Sequence, residues 1–332
     1  MNLLHLPCHN NNTYIWRIGE LEYLSSEYLS NEHISDNNLI NVLHKDDDCL
    51  WVRSVPELIT NKELEIILEE ESNYSTVYNT YNNFYEWNCK EQAFNKWRSL
   101  GLNTPEYIIV NSTNDVLDFC KIHQKHLLRI NNDFGKRDTF FLDFHKNSFC
   151  ALLDKSYKTL ADKLTEKQKT DTTTKIICVE YLNDSTPHHK QIRSYVINNK
   201  VVLSYDNGQQ CSANDFSPKY NNKGWNSFIN RNKELSLSTE IETQLKTAVS
   251  CFGLYMSSVD WILKDDKCYL LELNPYWGMG YQSIANGFPF YHKWANEVRA
   301  KYNDLPDNLQ IRLDTNNFWD LIYKNAFPHL FE

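Results

Sequence analysis

Three side chains in the last quarter of the sequence could do metal chemistry together: Asp260, Glu272 and Asn274. They lie in YMSSVDWILKDDKCYLLELNPYWGMG, residues 255–280, where two apolar runs flank Lys264-Asp265-Asp266. That pattern predicts two paired strands joined by a tight turn. Side chains alternate along a strand, so Glu272 and Asn274 point to one face while Leu271 and Leu273 point to the other. Folding the hairpin back brings Asp260 toward the same polar edge. Two carboxylates and a carboxamide oxygen then converge as a hard-oxygen set suited to Mg²⁺, an ion that keeps phosphates and waters among its ligands. A solvated hairpin rim is the alternative reading of the same residues.

The composition bounds what such a site serves. A chain of 332 residues buries a substantial core and predicts two or three lobes. With 41% hydrophobic and 14% aromatic residues it is a folded globular chain, outside the profile of disorder. A formal net charge of −9 argues against broad binding to nucleic acid or to an anionic membrane. Nine cysteines are scattered without a CxxC pair, which predicts reduced thiols in a cytoplasm and neither a disulfide framework nor structural zinc. The start, MNLLHLPCHNNN, lacks the basic and apolar regions of a signal peptide, and no stretch reaches the length of a membrane span. A cytoplasmic location is expected.

The elements that position the hairpin read more clearly after residue 88. Before it, apolar stretches such as 49–55 alternate with acidic ones and predict a small α/β lobe, with helices through Leu43 and over 63–70. The run KEQAFNKWRSLG from Lys90 places Ala93, Phe94, Trp97 and Leu100 on one helical face and ends in Gly101. Strands are expected at 107–110, 126–130 and 139–142. A helix capped within 111–115 is expected to carry Val116, Leu117 and Cys120, and another to cover 151–168. The apolar, β-branched run 174–182 predicts a strand buried on both faces. Residues 192–197 and 200–205 read as a hairpin turning at Asn198-Asn199. Helices are expected at 239–251, 288–301 and 317–326. No P-loop, dinucleotide-binding, GxSxG, HExxH or protein-kinase phrase is present.

Taken in order, these pieces over roughly residues 88–285 resemble the ATP-grasp superfamily, whose members read Asp…Glu-x-Asn at nearly the spacing of Asp260, Glu272 and Asn274. The resemblance implies an α+β fold: two α+β lobes clasping a nucleotide, preceded by a small N-terminal α/β domain. The implied boundaries are 1–88 for that N-terminal lobe, 89–183 for the central and lid lobe, 184–300 for the C-terminal lobe with the metal site, and 301–332 for a helical tail.

The resemblance also implies roles. Lys90, heading a helix before Gly101-Leu102-Asn103-Thr104-Pro105, is the ATP-contacting lysine. Arg129 stands where the family usually has Lys, ahead of a phosphate loop (131–137) that holds Lys136. A guanidinium retains the charge and binds phosphate bidentately. Glu180-Tyr181-Leu182 matches the hinge that holds adenine. Arg193, in RSYVI, faces the γ-phosphate or an acyl phosphate, although Gln191 stands where relatives often carry an acid. Asp260, Glu272 and Asn274 are the Mg²⁺ ligands.

The implied activity is ADP-forming ligation of a carboxylate to an amine, through an acyl phosphate, with ATP and Mg²⁺ as cofactors. Small-molecule or peptide carboxylates and amines are the expected partners; no nucleic acid or membrane is expected. Two other readings stay open. LELNPYWG is also similar to cell-division-cycle-type ATP-grasp proteins, which bind ATP and assist assembly of a protein partner. A nucleotide-binding protein that has lost catalysis is the third. Arg53, Arg137, His188, His189 and Trp277 are further candidates, each equally readable as a surface or wall residue.

Overall fold

In the computed structural model the described residues are 2–5, 14–17, 49–51, 65, 68–69, 71–72, 76–131, 139–169, 172–182, 191–206, 229–230, 232–275, 305–313, 321–322 and 324–326. The chain divides into two compact units. One comprises Met1–Phe84, Lys190–Asp260 and Leu273–Glu332; the other comprises Tyr85–His189 and Trp261–Glu272. No described helix is long and apolar enough to cross a membrane.

The second unit is built on an antiparallel sheet of β5 (Tyr107–Ile109), β6 (Lys125–Ile130), β7 (Thr139–Asp143) and β8 (Ile176–Glu180), in the order β5-β8-β6-β7. Among the described residues the unit carries helices α1 (Phe84–Asn88, beginning at the unit boundary), α2 (Lys90–Ser99), α3 (Thr113–Ile122) and the longer α4 (Phe149–Lys167). Leu128 pairs with Cys178 and Ile130 with Ile176, so these side chains share one face. That face packs with Val116, Phe119 and Cys120 of α3 and Phe149, Leu153 and Leu160 of α4 into one buried cluster. The expected double burial of β8 holds, since Ile176, Ile177, Cys178 and Val179 are all buried.

Local chemistry explains where these helices stop and start. The carboxylate of Asp115 accepts the N–H groups of Asn111 and Ser112, at 2.8 and 2.9 Å, which fixes the first turn of α3. At the end of α2, Leu102 N–H donates to Trp97 C=O and Gly101 N–H to Arg98 C=O, both at 3.0 Å, while Gly101 adopts φ +75°. This is the paired hydrogen-bond pattern of a Schellman motif. It corrects the expectation for Leu100. As the C-cap, Leu100 leaves the apolar face and is 47% exposed, whereas Ala93, Phe94 and Trp97 are buried as expected and Leu102 folds in beside them.

One polar pair sits inside the core. His126 is fully buried between the rings of Phe119 and Phe149, and its Nε2 lies 3.3 Å from Cys120 Sγ. Burial pushes the imidazole down from 6.5 to about 4 and the Cys120 thiol up to about 12. The unfolded chain therefore binds a proton near pH 6.5 that the folded chain binds only near pH 4. Between those values the unfolded state carries more protons, so stability falls as pH falls. The expected loss is up to about 3 kcal/mol. Denaturant unfolding near pH 7 and near pH 4.5 should show it, and His126→Phe should flatten the dependence; an equally steep variant would remove His126 as the cause.

In the first unit, β9 (Gln191–Ile197) and β10 (Lys200–Asp206) form an antiparallel hairpin turning at Asn198 and Asn199, with φ of 48° and 58°. Two successive left-handed residues make the type I′ turn whose twist suits a hairpin, and Asn tolerates that region. Asp265 and Asp266, at φ 51° and 59°, turn β11 (Met256–Lys264) into β12 (Lys267–Asn274) in the same way. These four strands are ordered β10-β9-β11-β12. Helix α5 (Thr239–Ser250), capped by Ser238 Oγ, which accepts the Ile241 N–H at 3.2 Å, packs on β9 and β10. A short helix, α6 (Asp307–Leu313), rests on β10.

The N-terminal part contributes two strand pairs. β1 (Asn2–His5) runs antiparallel to β2 (Tyr14–Arg17), and β3 (Cys49–Trp51) runs parallel to β4 (Thr76–Tyr78). The helices expected through Leu43 and over 288–301 lie outside the described residues, and those over 63–70 and 317–326 lie there in part.

Candidate functional site

Lys90 is the first residue of α2, and its place is set by Asn131, the residue that follows β6. The Lys90 N–H donates to the Asn131 carbonyl at 3.0 Å. Asn131 is itself 1% exposed and tied in three directions. Its Oδ1 accepts the Lys175 N–H at 3.0 Å, and its Nδ2 donates to Thr173 C=O at 3.3 Å and to Cys89 Sγ at 3.2 Å. Each partner satisfies a polar group that burial would otherwise leave unmade. The start of α2 is thereby fixed to the end of β6, which carries Arg129, and to the entry of β8.

The Lys90 ammonium forms an ion pair with the Glu272 carboxylate of β12. The two side chains are 12% and 24% exposed. β12 is held within the same unit by a parallel bridge between Asn103 and Tyr269, with Leu270 N–H donating to Asn103 C=O at 2.9 Å. The connection after α2 and the strand carrying Glu272 are therefore joined by backbone, and the Lys90–Glu272 pair is no chance meeting of two long surface side chains.

Arg129 is paired with Ile177 and with Thr139, on the sheet face opposite the buried helix-packed cluster. Leu127, Val179 and Phe141 share that face, and the Tyr181 ring meets Phe141 edge-on at 4.9 Å. Arg129 is 9% exposed. A cation set among Leu127, Ile177 and Val179 makes a face that is apolar toward the start of β6 and positive toward its end. That combination suits a planar base followed by phosphates.

At the end of β8, Glu180 does something the sequence did not predict. Its carboxylate accepts the Glu106 N–H at 3.3 Å and lies 3.7 Å from both His123 Nδ1 and Lys264 Nζ. Neighbouring side chains thus already engage the group expected to meet adenine. The N–H groups of Glu180 and Tyr181 are also used, by the carbonyls of Glu106 and Lys125. The N–H of Leu182, next along the chain, donates to no described residue, although Leu182 is only 3% exposed.

In the first unit Arg193 and Asp260 form a bidentate pair, with Nε to Oδ1 at 2.6 Å and Nη2 to Oδ2 at 2.7 Å. Asp260 is 7% exposed at its side chain and Arg193 25%. Burial alone disfavours the charged guanidinium, but the Asp260 charge and its hydrogen bonds outweigh that and hold Arg193 well above its ordinary value. Tyr205 lies across from Arg193 on β10, and its hydroxyl is 3.3 Å from that of Tyr195.

Asn274, at the end of β12, donates from Nδ2 to Asp260 Oδ2 at 3.4 Å. The ends of this hairpin are anchored by Asn79. Its Oδ1 accepts the Met256 N–H at 2.8 Å and its Nδ2 reaches Pro275 C=O at 3.5 Å, from a fully buried position at φ 61°. Ser258 Oγ adds a hydrogen bond to Asn274 C=O at 3.3 Å.

The structure thus places Lys90 with Glu272, and Arg193 with Asp260 and Asn274. It sets Arg129 beside the strand that leads to Glu180, Tyr181 and Leu182. Lys136 lies outside the described residues, as do Arg53, Arg137, His188, His189 and Trp277. Among the described residues no three His, Cys, Asp or Glu side chains gather as a metal site. The expected set holds two carboxylates and an amide, all oxygen-bearing and without thiol or imidazole, which is the donor chemistry of Mg²⁺. Turning the Asn274 amide over presents Oδ1 in place of Nδ2 without altering its shape.

No family model matches the sequence, and no curated protein matches it. Solved structures do match by shape. A D-alanine–D-alanine ligase from Bacillus anthracis gives a TM-score of 0.50 at 13% identity, covering 89% of this chain and 85% of that one. The ATP-grasp ligase PsnB complexed with a minimal precursor gives 0.48 at 15% identity, covering 72% and 74%. A RiPP-associated ATP-grasp ligase from Chryseobacterium gregarium, in complex with ADP and a leader and core peptide, gives 0.47 at 14%, covering 85% and 78%. At such identities the likeness is one of fold, and activity has to be argued from the residues.

Proposed function

We propose that this chain, whose fold is similar to that of a D-alanine–D-alanine ligase, is an ATP-grasp protein and an ADP-forming carboxylate–amine ligase working with ATP and Mg²⁺. The observation that carries this reading is the bidentate Arg193–Asp260 pair with Asn274 beside it. It sets a phosphate-type cation against a metal-type carboxylate and amide on adjoining strands. Glu272 lies two positions before Asn274 on β12 and completes the proposed ligand set by the alternation of the strand.

Mg²⁺, when bound, neutralises charge on the β- and γ-phosphate oxygens. This chain's own residues do the rest. The Leu182 N–H donates to the adenine edge, and Tyr181 with Leu127 and Phe141 faces the base. Arg129 and Lys90 bind phosphate oxygens, and Lys136 joins them. Arg193 steadies the phosphoryl group as it passes to the substrate carboxylate and then holds the acyl phosphate while an amine attacks. Little covalent help is asked of the protein, because phosphoryl transfer responds mainly to positioning and concentrated positive charge.

The test supplies Mg·ATP with paired libraries of carboxylates and amines and follows ADP, AMP and phosphate. Release of ADP and phosphate that requires both substrates is expected. Release of AMP would overturn the acyl-phosphate route. Tight Mg·ATP binding with no turnover in any pair would favour the ATP-binding assembly factor.

A further inference from the structure

We propose that Asn131 is a positioning residue for the nucleotide phosphates: it fixes Lys90 against the strand that carries Arg129, so that the two cations keep one spacing. The proposal rests on the nucleotide reading above, and every residue it uses lies in the second unit.

Asn131 follows β6 directly and is buried, and each of its polar groups has a partner. Its N–H donates to Lys175 C=O at 2.9 Å, and its Oδ1 accepts the Lys175 N–H at 3.0 Å. Its own carbonyl accepts the Lys90 N–H at 3.0 Å. Its Nδ2 donates to Thr173 C=O at 3.3 Å and to Cys89 Sγ at 3.2 Å. Cys89 immediately precedes α2, and Lys175 immediately precedes β8. A side-chain pair closes the ring: Lys175 Nζ donates to both carboxylate oxygens of Glu91, next to Lys90 on α2, at 3.1 and 3.0 Å. The start of α2, the end of β6 and the entry to β8 therefore meet at one amide.

A buried carboxamide engaged at both its oxygen and its nitrogen has one orientation, so it fixes what it holds. Lys90 travels with α2, and Arg129 travels with β6. Asn131 is the joint between those two elements. Cations serve a polyphosphate best when their spacing matches its oxygens, and a small misplacement forfeits much of the attraction. The base lies elsewhere on the same sheet. Lys175 and Glu180 stand at opposite ends of β8, roughly 17 Å apart at the rise of a strand. A disturbance at Asn131 therefore reaches the phosphate cations and spares the segment proposed to hold adenine.

That separation distinguishes a positioning role from a merely structural one. If Asn131 only supports the fold, its loss weakens adenosine and ATP alike. If it positions Lys90, the loss is confined to ligands that carry phosphates. Mg·ATP is titrated into the full chain by calorimetry, and adenosine binding is followed by saturation-transfer NMR. Asn131→Ala is expected to weaken Mg·ATP binding by about tenfold or more while adenosine stays within about twofold of the wild type. Lys90→Met is the reference for losing the cation itself. Combining it with Asn131→Ala should cost less than the two losses multiplied, because the effect of Asn131 passes through Lys90. Asn131→Ser, whose hydroxyl still serves one of the side-chain partners, replaces Asn131→Ala should that variant fail to fold.

A folded Asn131 variant that binds Mg·ATP as the wild type does overturns the proposal. So does one that loses ATP and adenosine by the same factor, or a double variant whose losses simply multiply. If Lys90→Met still weakens Mg·ATP in those cases, the nucleotide reading stands and only the positioning role is lost. A wild type that binds no Mg·ATP, or a Lys90→Met protein with unchanged affinity, removes both.

Discussion

Arg193→Met is expected to lower kcat/KM for ligation by at least about a thousandfold, or ~4 kcal/mol of transition-state stabilisation. Two consequences of one guanidinium are involved, and they separate. The first is chemical: Arg193 is a planar, two-pronged cation on β9, held in line by two bonds to Asp260 at 2.6 and 2.7 Å. A Lys in its place keeps charge but not the fork, so Arg193→Lys should retain only a small part of the activity. The second is structural. Removing the cation leaves the Asp260 carboxylate, 7% exposed, without its main partner. Breaking a fully buried pair costs about 3–5 kcal/mol; with Arg193 a quarter exposed, about 2–3 kcal/mol is expected here. The double variant Arg193→Met, Asp260→Leu removes both charges and should recover most of that stability in urea unfolding, with turnover still absent. Recovery of activity along with stability would show that Arg193 acts through the fold and takes no part in the chemistry.

The elements that carry these residues were legible in the sequence; who pairs with whom was not. Strand alternation put Glu272 and Asn274 on one side of β12, and a helical apolar period ending in Gly101 gave α2 over the run from Lys90. Those are local signals with periods of two and 3.6 residues. The hairpin turns at Asn198-Asn199 and Asp265-Asp266 were equally local, because a left-handed pair of small polar residues is a backbone requirement. The ion pairs, by contrast, join residues far apart in sequence, and composition lists cations and carboxylates without matching them.

Asn131 and Asn79 were missed for the same reason. Each looks like a turn residue in a sequence rich in Asn, yet each is buried and bonds to backbone groups on distant segments. An Asn whose burial is invisible to its neighbours carries no sequence signal. Leu100 erred in the other direction. It fits the helical period, but the Schellman turn at Gly101 moved the apolar contact one step on, to Leu102. Glu180 was placed correctly at the end of β8, but its side chain is engaged by Glu106, His123 and Lys264. The Leu182 N–H, which donates to no described residue, is the backbone donor that the proposed function assigns to the base.

Glu272→Gln is expected to reduce kcat/KM by about a thousandfold or more, and this substitution tests the metal assignment most directly. Gln preserves the volume and one oxygen, so the packing around β12 is retained and the loss reports on charge. With the carboxylate gone, the Lys90 ammonium keeps a neutral oxygen as acceptor, and unfolding free energy should fall by only ~1 kcal/mol. The metal, however, loses one of two anionic ligands, so the Mg²⁺ concentration for half-maximal rate should rise at least tenfold. Glu272→Asp keeps the charge on a shorter arm and should fall between the two. Measuring rate against free Mg²⁺ at saturating ATP distinguishes this from a phosphate role, because a phosphate contact would shift the ATP requirement instead. A Glu272→Gln protein that turns over within tenfold of wild type at unchanged Mg²⁺ would leave Asp260 and Asn274 as the only proposed ligands, too few to hold the ion against the phosphates, and the ligase reading would fail with them.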